Sequence, residues 1–98
     1  MPRYRIVVIG ESVLEVQHVS RCCLAQGIEV FPYYGVPSNE EISLFSPHLA
    51  ILCLPLPNST YPQIDSACVV WSEQPVSSHL HVISNMTELY NMLQNLQS

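Results

Sequence analysis

Two uninterrupted apolar runs constrain the fold of this chain more than any other feature of its sequence. Residues 5–9 read RIVVI and residues 49–54 read LAILCL. Such runs, without the polar alternation of a half-exposed strand, are typical of strands that are buried on both faces of a parallel sheet. Parallel strands need crossover segments on the faces of the sheet, so helices are expected in the sequence between the runs.

Helix start and stop signals stand where these crossovers require them. Three polar residues are followed three positions later by glutamate, the spacing of a capping box: Ser12 and Glu15, Ser38 and Glu41, and Asn85 and Glu88. Gly27 ends the first predicted helix in the C′ position. Apolar residues recur at helical spacing in the first and last helices: Val13, Val16, Val19 and Cys23, then Leu89, Met92, Leu93 and Leu96.

Three further segments predict the remaining strands. Residues 28–34 read IEVFPYY, and Pro32 places this second strand at an edge of the sheet because proline lacks a backbone donor. The segments CVVW and HVI, which end at Trp71 and Ile83, predict a fourth and a fifth strand. Residues 55–67 and 73–80 are short for full crossovers, so the third and fourth helices should be reduced. The sequence thus predicts one α/β domain over all 98 residues, 1–98.

The charge balance excludes several classes of function. The chain has eight acidic residues, three arginines, no lysine and a formal net charge of −5. Nucleic acids bind to clustered positive charge, so no nucleic-acid partner is expected. The missing lysine excludes Schiff-base and P-loop chemistry. No apolar run has the length of a membrane span or of a signal-peptide core, which predicts a cytoplasmic protein without a membrane partner.

The four cysteines are expected to be reduced side chains of the core. Cys22 and Cys23 are adjacent, and Cys53 and Cys68 lie inside apolar runs. Free cysteine packs as a small hydrophobic residue, and the C-x-x-C spacing of zinc and redox sites does not occur. No metal or cofactor is therefore expected from the cysteines.

Five segments together resemble the receiver domain of response regulators in two-component signalling. They are RIVVIGES (5–12), CCLAQGIEV (22–30), SPHLAILCLPLP (46–57), VVWS (69–72) and HVISN (81–85). The first is similar to the receiver strand that ends in an acidic pair, and the third to the strand that carries the phospho-acceptor between two prolines. The resemblance covers residues 4–57 and, more loosely, 68–96. It implies a flavodoxin-like three-layer sandwich with a five-stranded parallel sheet in the order 2-1-3-4-5.

The functional residues of receivers do not carry over to this chain. In receivers the acidic pair binds magnesium, an aspartate on the third strand accepts the phosphoryl group, and a lysine holds it. The matching positions here are Gly10 and Glu11, Cys53, and Ser84, while the hydroxyl position is kept as Ser72. Magnesium needs several hard oxygen ligands, which these residues do not supply. The resemblance therefore implies a degenerate receiver, or pseudo-receiver, without catalytic residues or cofactor.

The resulting hypothesis is a phosphorylation-independent signalling or scaffold module that is not an enzyme. It would bind a protein partner or form a homodimer. The resemblance implies a contact surface on the fourth strand, the fifth strand and the last helix. The candidate contact residues there are Trp71, Glu73, His81, Tyr90, Met92 and Gln94. Aromatic residues and methionine are favoured at interfaces.

Three alternatives remain beside this hypothesis. The first is a sensor of a small molecule or quinone-type ligand, bound at the carboxyl ends of the strands near FPYYG (31–35) and Tyr61–Pro62. A metal site at His79 and His81 is less favoured, because two histidines at this spacing more often lie on a surface edge. Phosphorylation of Cys53 is disfavoured, since Glu11 would repel the phosphate and no cation is near to activate the thiol.

Overall fold

The computed structural model of the chain describes residues 4–35, 38–54, 67–74 and 80–97. Their helices and strands follow in the order β1 (Arg5–Gly10), α1 (Val13–Ala25), β2 (Glu29–Tyr34), α2 (Asn39–Phe45), β3 (Leu49–Cys53), β4 (Ala67–Trp71), β5 (Val82–Ile83) and α3 (Met86–Gln97). The predicted alternation of strands and helices is confirmed. The predictions of reduced helices, and those at Tyr61, Pro62 and His79, fall on residues 55–66 and 75–79, which lie outside the described residues.

The five strands form one parallel sheet in the order β2-β1-β3-β4-β5, as predicted. Every residue of β3 is buried, and β1 is buried from Ile6 to Gly10, because these strands have neighbours on both sides and helices above and below. β2 lies at the edge of the sheet. Pro32 is tolerated there because it has no backbone N–H, and the outer side of an edge strand has no neighbouring strand to bond. The apolar runs of the sequence therefore mark the centre of the sheet.

The helix termini follow the predicted capping signals. The side chains of Ser12, Ser38 and Asn85 accept hydrogen bonds from the backbone N–H of Glu15, Glu41 and Glu88, respectively. α1 ends in a Schellman motif, since the Gly27 N–H donates to the Leu24 carbonyl and the Ile28 N–H donates to the Cys23 carbonyl. Gly27 has a φ of +78°, a conformation that glycine adopts without a steric penalty.

The sheet separates two apolar clusters. The α1–α3 core lies between the sheet and helices α1 and α3, and the smaller α2 core lies on the opposite face. The buried residues of the α1–α3 core are Ile6, Val8, Val16, Val19, Cys23, Ile28, Leu49, Ile51, Cys53, Val69, Trp71, Ile83, Leu89 and Leu93. Those of the α2 core are Val7, Ile9, Ala50 and Leu52. The predicted helical stripes are confirmed except at Val13, which is 48% exposed at the first turn of α1.

A network of hydrogen bonds and one aromatic stack stabilises the amino edge of the sheet. The Arg5 N–H donates to His48 Nδ1 at 2.9 Å, and the His48 N–H donates to the Arg5 carbonyl at 2.8 Å. The Tyr4 ring stacks on the imidazole, and Arg5 Nε donates to the Ser46 carbonyl at 3.0 Å. This network connects the start of β1 to the segment that leads from α2 into β3. None of the helices in the described part of the chain has the length and apolar character of a membrane span.

Candidate functional site

The strand register brings most of the receiver-like positions to the carboxyl edge of the sheet. Gly10 pairs with Cys53, and Cys53 pairs with Trp71, at the ends of three neighbouring strands. Ser72 follows Trp71 directly, and its N–H donates to the Ile83 carbonyl at 3.0 Å. Three of the predicted positions, Gly10, Cys53 and Ser72, therefore lie in one row, with Ser84 following the end of the next strand.

Cys53, which the sequence resemblance matches to the acceptor position, is a buried core residue. Its side chain is 1% exposed and belongs to the α1–α3 core. Burial raises the pKa of the Cys53 thiol to about 12, and the neighbouring Glu15 and Cys23 add to the rise. A thiol becomes a nucleophile only as the thiolate, so a protonated and buried Cys53 is a poor candidate for covalent catalysis.

Gly10 and Val16 close the space beside Cys53. A Cβ atom on Gly10 would lie 2.8 Å from Cys53 Cβ and 2.8 Å from Val16 Cγ2. Carbon atoms that are not bonded do not approach so closely, so a side chain at this position requires both Cys53 and Val16 to shift. Glycine is needed here for the close approach of α1 and β3. Sequence reasoning treated Val16 as an ordinary helix residue and missed this closing contact.

Two carboxylates lie near the row but do not complete it. Glu11 is exposed to solvent. The Glu15 N–H donates to the hydroxyl of the N-cap Ser12, yet the Glu15 Oε2 atom is buried and has no hydrogen-bond partner among the described residues. Sequence reasoning assigned Glu15 to capping alone. Its position in the first turn of a helix that follows a strand end was the signal that placed it at this edge.

The two serines of the row serve local structure. The Ser72 hydroxyl donates to the Gln74 carbonyl at 2.9 Å and accepts from the Gln74 N–H at 3.2 Å, which closes a tight turn after β4. The Ser84 N–H donates to Glu88 Oε2 at 3.3 Å and so belongs to the cap of α3. Ser84 is exposed, and Ser72 is 5% exposed with its hydroxyl already paired.

Magnesium, which receivers bind at this edge, does not fit the residues present. Gly10 has no side chain, Cys53 is a buried soft ligand, and the space between them is taken by Val16. Magnesium prefers octahedral sites of hard oxygen ligands. Within residues 4–35, 38–54, 67–74 and 80–97, no three histidine, cysteine or acidic side chains converge as a metal site would require.

The predicted partner surface is only partly exposed, and Trp71 is a correction to it. Trp71 is 1% exposed because its side chain lies in the α1–α3 core, so it cannot contact a partner directly. Met92 is half-buried against the same core. Tyr90 is 48% exposed, and Glu73 and His81 are exposed. The exposed Gln94 donates through Nε2 to Oε1 of Gln26, which connects α3 to the end of α1.

A concave feature lies at the β2 edge of the sheet. A groove of about 400 Å³ runs between α2 and β2, lined by Val30, Phe31, Glu41, Leu44 and Phe45. Phe31 belongs to the FPYYG segment that the ligand hypothesis singled out. The groove lies beside the edge strand, whereas that hypothesis expected a cleft at the carboxyl ends of the strands.

Comparison with known structures agrees with the geometry. The crystal structure of a response regulator receiver domain protein from Bacillus halodurans C-125 superposes with a TM-score of 0.64 at 11% sequence identity. The match covers 96% of this chain and 97% of that one. At this identity the similarity shows the fold, so the chain has the flavodoxin-like fold of receiver domains. No protein-family model matches the sequence, and no curated protein matches it.

Proposed function

We propose that the chain is a pseudo-receiver: a signalling or scaffold module that binds a protein partner, or a second copy of itself, without being phosphorylated. The observation that carries this proposal is the closure of the acceptor position. Cys53 is buried beside Gly10 and Val16, at the position that the sequence resemblance matches to the receiver aspartate. The proposal includes that the protein is not an enzyme and works in the cytoplasm.

Phosphoryl transfer makes demands that this edge does not meet. A phosphoryl group needs a nucleophile that reaches solvent, and cationic groups that offset the charge developing in the transition state. Here the nucleophile position is a thiol whose pKa is raised to about 12 by burial. The only arginines among the described residues are Arg5, at the amino edge of the sheet, and Arg21, in α1. A module that keeps the fold without these groups signals through the contacts that its surface makes with a partner.

Incubation with acetyl phosphate and magnesium tests this proposal. Intact-mass measurement should show no phosphate adduct, while a receiver domain with its aspartate, treated in parallel, should gain one phosphate. A substitution of Ser72 by Ala should change nothing, because its hydroxyl is paired with Gln74. Stoichiometric phosphate uptake by the wild-type protein would contradict the proposal.

The alternative of a small-molecule sensor has less support. Binding pockets for small molecules are concave enough to cover most of the ligand surface. The groove beside β2 is open, as Leu44 on its rim shows with 88% exposure. A ligand that co-purifies with the protein and is visible by absorbance or native mass measurement would favour this alternative.

A further inference from the structure

The groove between α2 and β2 has an apolar floor. Phe31 and Phe45 pack against each other with ring centroids 5.3 Å apart, and Phe31 also makes an edge contact with Tyr33 at 5.7 Å. Leu44 stands on the rim with 88% of its surface exposed, which makes it the most exposed large apolar side chain in the described residues. Such a side chain gains most when a second apolar surface covers it.

The charge of the groove is negative at one end. Glu40 and Glu41 lie in the first turn of α2, and Glu41 also lines the groove. The Glu41 carboxylate accepts from the Ser38 hydroxyl at 3.3 Å, and a hydrogen bond with Glu41 raises the pKa of Tyr33. Glu40 is exposed and its carboxylate faces solvent. At this end the described residues contribute no cation.

The amino edge of the sheet, outside the lining of the groove, carries one residue of each charge. Arg5 and Glu29 are register partners there on neighbouring strands. Arg5 Nε is held by the Ser46 carbonyl just after α2. Glu41 in the lining and Glu40 beside it in the first turn of α2 therefore favour a basic group in an occupant.

The edge of β2 does not favour an added strand. The Glu29 and Gly35 N–H groups donate to the Tyr4 and Gly10 carbonyls, just before and at the end of β1. The backbone groups of Val30, Pro32 and Tyr34 therefore face outward. Pro32 has no N–H and interrupts this outward row in its middle. An occupant must therefore be recognised by its side chains.

From these observations we propose that the groove is a docking site for a basic segment of a partner protein. An apolar side chain of that segment packs on Phe31, Leu44 and Phe45, and an adjacent arginine or lysine faces Glu40 and Glu41. The inference rests on the proposed partner-binding function and places the contact at β2 and α2, away from α3. A protein segment suits the open groove, because its neighbouring residues can cover Leu44 from outside.

Peptide titration followed by NMR tests the docking site. The probe is a short synthetic peptide with leucine and phenylalanine next to arginine and lysine, and its control carries glutamate in place of the basic residues. With isotope-labelled protein, the basic peptide should shift backbone amides of β2 and α2, and the acidic peptide should not. Leu44→Ser should raise the dissociation constant at least about fivefold, as expected for an apolar anchor. Glu40→Gln should raise it about two- to threefold and weaken its dependence on salt.

Leu14→Ser is the matched control, because Leu14 is 79% exposed on α1, across the sheet from the groove. This substitution should leave the dissociation constant unchanged. The docking site is wrong if the basic peptide shifts only α1 or α3, if Leu14→Ser weakens binding as much as Leu44→Ser, or if both peptides bind equally. It is also wrong if an apolar dye, and not the peptide, binds in a Leu44-dependent manner, since that result favours a small ligand. Failure here with no phosphate uptake would leave the proposed function in place, whereas phosphate uptake would remove that function itself.

Discussion

The carboxyl edge at Cys53 and the groove at Leu44 use apolar side chains in opposite ways. At the edge, Gly10, Val16 and Cys53 are packed so closely that even a methyl group on Gly10 does not fit. In the groove, Leu44 is 88% exposed beside two aromatic rings. The difference separates a closed carboxyl edge from an exposed apolar flank, and it is the basis of both proposals: the pseudo-receiver and the docking groove.

The contrast has a simple electrostatic cause. A set of carboxylates at a strand end needs solvent or cations around it, because buried unpaired charge is very unfavourable. Glycine and a protonated thiol need neither, so α1 can pack directly onto the end of β3. Leu44 has no such neighbour among the described residues and stays in solvent.

The largest effect is expected from Cys53→Asp. A carboxylate in this closed space would lack a cation, so the free energy of unfolding should fall by about 3–5 kcal/mol. Cys53→Ala is the matched control and should cost on the order of 1 kcal/mol through lost apolar burial. Urea denaturation at neutral pH measures both. Equal stability of Cys53→Asp and the wild type would mean that the edge is open to solvent.

Alkaline pH should destabilise the protein through its buried thiols. Burial raises the pKa values of Cys23 and Cys53 from 9.0 to about 12. Above pH 9 the unfolded chain loses these protons while the folded protein keeps them, so stability is full below pH 9 and is lost between pH 9 and 12. The slope should approach about 1.4 kcal/mol per pH unit for each thiol. The double variant Cys23→Ala with Cys53→Ala, compared by urea denaturation, should lose this slope; an unchanged slope would contradict the assignment.

Gly10→Ala should cost about 1–3 kcal/mol, because its methyl group would overlap Cys53 and Val16. Gly10 has no positive φ, so the cost should come from overpacking alone. The double variant with Val16→Ala provides the control. If crowding by Val16 is the cause, part of the cost of Gly10→Ala should disappear in the Val16→Ala background. Strict additivity of the two substitutions in urea denaturation would show that Val16 does not close the site.

Leu44→Ser should change the free energy of unfolding by less than about 0.5 kcal/mol, the usual range for an exposed position. Leu52→Ser, at a leucine that is 2% exposed in the α2 core, is the buried counterpart and should be strongly destabilising. Thermal denaturation of both variants measures the difference. A large loss at Leu44 would mean that this side chain is covered in the folded protein and is not available to a partner.

The sequence pattern was sufficient for the central and edge strands and for the helix termini, and the resemblance to receivers supplied the full strand order. Apolar runs without alternation mark strands with neighbours on both sides, Pro32 marks an edge, and Gly27 and the capping residues act within one turn of the chain. These signals are local, or depend only on burial. They can therefore be recognised without knowing which elements meet in space.

The closing of the site was not predictable in the same way. The contact of Val16 with the Gly10 and Cys53 pair joins residues from α1, β1 and β3, and depends on how deeply α1 settles on the sheet. Trp71 was assigned to the partner surface because the resemblance implies one at the fourth strand and aromatic residues are favoured at interfaces. Its register with Cys53 instead accompanies burial in the α1–α3 core. Position along a strand was visible in the sequence, but the face toward which the side chain points depends on packing.

Alkylation of Cys53 in the folded protein tests directly whether the carboxyl edge of the sheet is closed. With a pKa of about 12, the Cys53 side chain is thiolate to roughly one part in ten thousand at about pH 8, and it is shielded from reagent as well. Treatment with iodoacetamide, followed by proteolysis and mass measurement, should label the half-buried Cys22 and leave Cys53 unlabelled until the protein unfolds. Labelling of Cys53 at the rate of Cys22 in the folded state would contradict the closed site and, with it, the pseudo-receiver proposal.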